Sequence, residues 1–160
     1  MEEHAEQMSN TVRVLAYLLK EGRVDPDKEL ELYFASNPSP ESGAVKKTST
    51  ALQQKIDKHE FTDESFDIGA SLGNIVTHVL KKDTPCNIYV LTNGHWGSSV
   101  PGDLCGVDRP INRLVNAVEE AGLEDNWFGV QFIRFYGRQN PHDDIGKQRL
   151  DFLDKEVGKM

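Results

Sequence analysis

The residues that are best placed to do chemistry follow a short apolar stretch, at the point where the chain turns. The stretch Cys86–Thr92 (CNIYVLT) is uncharged and rich in β-branched and aromatic residues, which is typical of a strand buried on both faces of a parallel sheet. Asn93 and Gly94 tolerate positive φ and end this strand, so His95 and Trp96 follow at its carboxyl end. Ligands of open α/β sheets bind at that edge. We expect His95 and Trp96 to anchor a partner, with the alternative that Trp96 folds back as a lid over the core.

Catalytic and metal chemistry have less support in the sequence. Cys105 and His95 lie in the same long loop region and would form a nucleophile and a base, which leaves an enzyme with a reactive loop cysteine as an alternative. The chain has no nucleophile elbow and no glycine-rich phosphate loop. Its five histidines show no HxxxH or HxH spacing, so we predict no zinc site.

Length and charge restrict the class of protein. The 160 residues fit one domain, which we place at 1–160. A formal net charge of -8 with no basic stripe disfavours binding to nucleic acid or to an anionic membrane. The start lacks an apolar signal region, and two cysteines do not make a disulfide framework. We therefore predict a cytoplasmic protein with reduced thiols.

Hydrophobic periodicity predicts strands that alternate with helices. Strands separated by helices pair in parallel with right-handed crossovers, so the predicted class is α/β. Asp67 should cap the helix that follows it, and Gly122 should end a later one. The predicted helices lie near Met8–Gly22, Ser49–Lys58, Ile68–Leu80, Pro110–Gly122 and Ile145–Val157, and the predicted extended segments are Leu30–Ser36, Ala44–Lys47, Asn87–Thr92 and Trp127–Tyr136.

Five blocks of the chain match a known family in the same order. They read LELYFAS, SFDIGASLGNIV, NIYVLTNGHW, PINRLVNAVEEAGLEDNWFGVQFIRF and RLDFLD. Together they resemble von Willebrand factor type A (vWA) domains, particularly the intracellular kind abundant in filamentous fungi. The resemblance implies a doubly wound, mostly parallel sheet with helices on both faces. It also implies a metal-ion-dependent adhesion site at the carboxyl edge of the sheet, built from a DxSxS loop, a threonine and an aspartate around a divalent cation.

Each contribution to that metal site is altered in this chain. The first strand and its DxSxS loop have no counterpart, because the chain begins almost directly with a helix. Phe66 replaces the threonine, and Asn93 replaces the aspartate of the third loop. We therefore expect a degenerate site at Asp67 and Asn93 that holds no metal or other cofactor, in a non-enzymatic module that binds a protein partner. The alternative is a metal-dependent module in which a missing N-terminal segment supplies DxSxS and completes a Mg²⁺ site. The predicted partner-binding residues are Phe66, Asp67, Asn93, Gly94, His95 and Trp96.

The missing first strand is itself a structural problem. In the family it lies between the strands predicted at Leu30–Ser36 and Asn87–Thr92, so both would have backbone edges without a neighbour. An unsatisfied buried amide costs roughly 1–3 kcal/mol. Three arrangements would resolve this: direct pairing of the two strands, a strand supplied by another chain as in a homodimer, or a chain that is part of a longer domain.

Overall fold

The computed structural model describes residues 4–21, 30–36, 44–45, 49–60, 66–82, 84–94, 96–97, 106–123, 127–135 and 143–157. The architecture is mixed α/β, in two compact units, Met1–Glu64 and Ser65–Met160. The prediction of one domain over the whole chain stays a prediction. Within the described ranges, every helix is too short or too polar to cross a membrane.

The first unit contains two packed helices, α1 (Ala5–Glu21) and α2 (Ser49–Asp57). The inward face of α1 carries Met8, Val12 and Ala16, which recur at the four-residue spacing of one helix face and are all buried. On α2 the buried residues Leu52 and Ile56 have the same spacing. A hydrogen bond from the Ser9 hydroxyl to the Asp57 carboxylate, 2.8 Å long, joins the two helices.

A short antiparallel pair completes the described part of this unit. The strands β1 (Leu30–Glu31) and β2 (Ala44–Val45) pair antiparallel, with Leu30 opposite Val45. The predicted strand Leu30–Ser36 was too long, because the chain turns at Ala35 and Ser36. Just before this turn, the ring of Phe34 stacks on His59 with centroids 3.7 Å apart.

The second unit alternates helices and strands in the predicted order. It contains α3 (Ile68–Val79), β3 (Cys86–Thr92), α4 (Asp108–Glu120), β4 (Phe128–Arg134) and α5 (Asp143–Glu156). The strands β3 and β4 pair in parallel with seven residue pairs in continuous register. Parallel pairing across the intervening helix α4 confirms that part of the prediction. It also fixes the geometry of the site, since the carboxyl ends of both strands lie at the same edge of the sheet.

The core of this unit is formed by residues of its helices that pack against both strands. Its fully or nearly fully buried residues come from α3, α4, α5 and the residue before α4. The strand residues packed on this core alternate along each strand, as the two-residue period requires. These core residues are Leu72, Val76, Val107, Leu114 and Leu153, and the strand residues packed on them are Ile88, Val90, Phe128, Val130 and Phe132.

The prediction that β3 is buried on both faces was wrong. Thr92 is its one buried residue, Asn87 is exposed, and the other five are partly buried. The physical reason is the size of the sheet, since a strand with one described strand neighbour keeps much of its surface outside the core.

Candidate functional site

Two of the predicted binding segments meet at the carboxyl edge of the sheet. The residue before α3 and the segment after β3 form an isolated parallel bridge between Asp67 and Gly97. The Gly97 N–H donates a 2.9 Å hydrogen bond to the Phe66 carbonyl. The predicted residues Phe66, Asp67 and Trp96 therefore lie in neighbouring segments, although nearly thirty positions of sequence separate them.

The Asp67 carboxylate has a structural role at this edge. Its Oδ1 accepts a 2.9 Å hydrogen bond from the Ala70 N–H, so Asp67 is the N-cap of α3, as predicted. A carboxylate at a helix N-terminus also complements the positive end of the helix dipole. Phe66 and Asp67 are both partly buried.

Gly94 shapes the turn after β3. Its φ is +82°, which confirms the predicted positive-φ turn, and its N–H donates to the buried Thr92 hydroxyl at 3.0 Å. A Cβ atom at Gly94 would lie 2.5 Å from the Cα of Gly146 in the first turn of α5. A Cβ at Gly146 would in turn meet the Asn93 carbonyl oxygen at 3.0 Å. The two glycines thus allow the turn and the helix backbone to touch.

Arg149 of α5, which the sequence analysis missed, holds the same turn. Its Nη1 donates to the carbonyl oxygens of Gly94 and Trp96 at 3.0 and 2.9 Å. Its Cζ lies 5.0 Å from the centroid of the Trp96 ring, a cation–π distance. The signal was present in the sequence: Arg149 is three residues after Gly146 and four before the buried Leu153, which places a charged residue on the inward face of α5.

Trp96 is buried, with 5% of its surface exposed. Its ring lies 6.5 Å from that of Phe132 on β4, so the indole covers the end of the sheet. This is the second of the two predicted alternatives, the lid over the core. His95, which comes between the two residues bound by Arg149, is outside the described residues.

The lead-in to α4 also reaches this edge. A Cβ atom on Gly69, in the first turn of α3, would lie 2.0 Å from the carbonyl oxygen of Gly106. Gly106 has a φ of +73° and lies two residues before Asp108, the first residue of α4. The N-terminal ends of α3, α4 and α5 therefore all lie close to the carboxyl ends of the strands, as expected when helices connect parallel strands.

The catalytic and metal alternatives stay predictions. Across the residues that the structure describes, no three His, Cys, Asp or Glu side chains are grouped to hold a metal ion. Cys86, at the start of β3, is partly buried. Cys105, the residue of the enzyme alternative, is outside the described residues.

The chain matches no protein-family model, no curated protein and no solved structure. The vWA resemblance therefore stays a prediction.

Proposed function

We propose that this chain is a non-enzymatic, metal-independent module that binds a protein partner through the carboxyl edge of the β3–β4 sheet. We further propose that its fold is a doubly wound, vWA-like one with helices on both faces of the sheet, lacking the usual first central strand. The alternation of α3, β3, α4, β4 and α5 with a parallel strand pair supports that assignment. The degenerate adhesion site then corresponds to Asp67 and Asn93.

The observation that carries the proposal is the bridge between Asp67 and Gly97, which joins two distant segments into one surface. This surface is held by backbone contacts and by a guanidinium group. An edge that is already ordered loses less conformational entropy when a partner binds, and this favours recognition. On this surface Phe66 offers an aromatic ring and Asn93 an amide, and both residues are partly buried.

The roles of the predicted residues differ within this proposal. Phe66 and Asn93 contact the partner, together with His95. Gly94 gives the turn its shape, and Asp67 fixes the start of α3. Trp96 stabilises the surface and does not contact the partner, because its indole is buried and lies beside Arg149.

Affinity purification with quantitative mass spectrometry tests the proposal. The intact chain, a Phe66→Ala/Asn93→Ala variant and a control variant, Glu119→Ala/Gln131→Ala, are compared in lysate with either Mg²⁺ or EDTA. Both control positions are exposed. We expect to find proteins that the intact chain and the control retain equally. The edge variant should retain these proteins at least about thirtyfold less, since central contacts contribute about 2 kcal/mol or more. Their recovery should be the same in EDTA.

Direct titration of the purified partner then separates the outcomes. Equal affinity for the intact chain and for a correctly folded edge variant would contradict binding at this surface. Binding that disappears in EDTA would favour the other candidate, a metal-dependent adhesion module whose site is completed in trans.

A further inference from the structure

Asn93 and Gly94 form the one Asn-Gly pair in the sequence, and such a pair can react with itself. The backbone nitrogen that follows an asparagine can attack the side-chain amide carbon, and glycine hinders this attack least because it has no Cβ. The reaction needs no enzyme and no cofactor. Its rate depends on how freely the two residues move, so the structure of the turn after β3 determines whether Asn93 reacts.

The attacking nitrogen is engaged in the folded chain. The Gly94 N–H donates a 3.0 Å hydrogen bond to the Thr92 hydroxyl, and both residues are buried. Attack requires this nitrogen to lose its proton, and burial disfavours the anion that would form. Thr92 is itself held in place, because its carbonyl oxygen accepts a 2.8 Å hydrogen bond from the Phe135 N–H, directly after β4.

The rest of Gly94 is held as well. Arg149 donates to the Gly94 carbonyl oxygen at 3.0 Å, and a Cβ at Gly94 would lie 2.5 Å from the Gly146 Cα. A covalent bond requires the Gly94 nitrogen and the Asn93 side chain to approach more closely than any packed contact. The contacts with Thr92, Arg149 and Gly146 limit that movement.

We propose that Asn93–Gly94 is a self-modification site that the folded turn keeps closed and that local unfolding of the turn opens. In the open turn, the deprotonated Gly94 nitrogen bonds to the Asn93 Cγ and the Cγ–Nδ2 bond breaks. The proton given up by Gly94 passes through solvent to the amide nitrogen, which leaves as ammonia. Water then hydrolyses the resulting succinimide at either carbonyl to give aspartate or isoaspartate. In total, one water is consumed and one ammonia is released.

The isoaspartate product cannot restore the turn. Its backbone runs through the Cβ and Cγ of the former Asn93, and the extra carbon displaces Gly94 from its contact with Gly146. Either product also replaces the Asn93 amide with a negative charge. The effect of this change on partner binding rests on the proposed function, in which Asn93 contacts the partner, whereas the chemistry itself does not.

The test is the rate of Asn93 modification at mildly alkaline pH. Mass spectrometry of the peptide that contains Asn93 measures the loss of the amide, and fragmentation distinguishes aspartate from isoaspartate. A synthetic peptide of residues 87–97 in the same buffer supplies the unprotected rate. We expect modification of the folded chain to be at least about tenfold slower than that of the peptide, because the turn must open first. This comparison needs no variant to fold.

Two substitutions at Thr92 then test the hydrogen bond to Gly94. Thr92→Val removes the acceptor and Thr92→Ser keeps it, and each rate is taken relative to a peptide with the same substitution. The contribution of global unfolding, which is the peptide rate multiplied by the unfolded fraction, is subtracted. Thr92→Val should then react about two- to tenfold faster than Thr92→Ser, since it lacks one hydrogen bond.

Equal rates for the folded chain and the peptide would overturn the proposal, and so would equal corrected rates for the two Thr92 variants. Neither measurement involves a partner. Failure of this proposal would therefore leave the proposed function as it stands, and failure to find a partner would leave the closed turn as it stands.

Discussion

Replacing Arg149 with methionine tests the contact between α5 and the turn after β3. The guanidinium donates hydrogen bonds to two carbonyl oxygens, at 3.0 and 2.9 Å, and lies 5.0 Å from the centroid of the Trp96 ring. A hydrogen bond to a charged group contributes about 1.5 kcal/mol at the lower end of its range, which suits a partly buried arginine. The cation–π contact adds about 0.5–1 kcal/mol. Because such contributions are not fully additive, we expect the free energy of unfolding to fall by about 2–3 kcal/mol.

Urea denaturation followed by tryptophan fluorescence measures this loss. Both tryptophans, Trp96 and Trp127, lie in the Ser65–Met160 unit, so their emission reports the unit that contains Arg149. The matched control is Arg113→Met, because Arg113 makes one exposed 2.7 Å hydrogen bond to Thr77 and should contribute less than about 1 kcal/mol. If both variants lost the same stability, Arg149 would not be holding the turn.

Two further predictions concern the turn and the first unit. Gly94→Ala should lower the free energy of unfolding by about 2–4 kcal/mol for two reasons. Alanine is strained at the positive φ of this position, and its Cβ would lie 2.5 Å from the Cα of Gly146. In the same urea assay Gly122→Ala, at a φ of +61° with open space around it, should lose only about 1–2 kcal/mol, and equal losses would contradict the packing argument. Burial lowers the pKa of His59 below its ordinary value of 6.5, partly opposed by the charge of Glu60. As the pH falls, His59 therefore binds a proton in the unfolded chain before it does so in the folded chain. The contribution of His59 to the free energy of unfolding is complete above pH 6.5 and is lost as the pH falls through the lower pKa of the folded state. Thermal unfolding between pH 7.5 and 5 should show this loss in the intact chain and less of it in His59→Gln; identical profiles would refute it.

Local sequence signals predicted most of the regular structure. The apolar spacing of α3 and the uncharged run of β3 gave their positions to within a residue, and Asp67 caps α3 as its side-chain chemistry requires. Gly94 and Gly122 have the positive φ expected of residues that end a strand or a helix. These features depend on residues that are close together in the chain, so local sequence patterns are sufficient to predict them.

The contacts that shape the site depend on residues far apart in the chain. Arg149 binds carbonyl groups 53 and 55 positions away, and carbonyl groups carry no residue-type signal. The burial of β3 was overestimated for a related reason, since an apolar run indicates that a strand suits a sheet interior but not how many neighbours it has.

The position of Arg149 decides which residues at the carboxyl edge are available for recognition. Arg149 lies beside the Trp96 ring and binds the carbonyl groups on either side of His95 in the sequence, so Trp96 serves the stability of the turn. A partner that required the indole would have to displace a cation from its ring and uncover a side chain that is 95% buried. In the proposed binding mode, a partner that leaves the indole in place would contact Phe66, Asn93 and His95. The Arg149 contacts that keep Trp96 buried also hold the turn that contains Gly94.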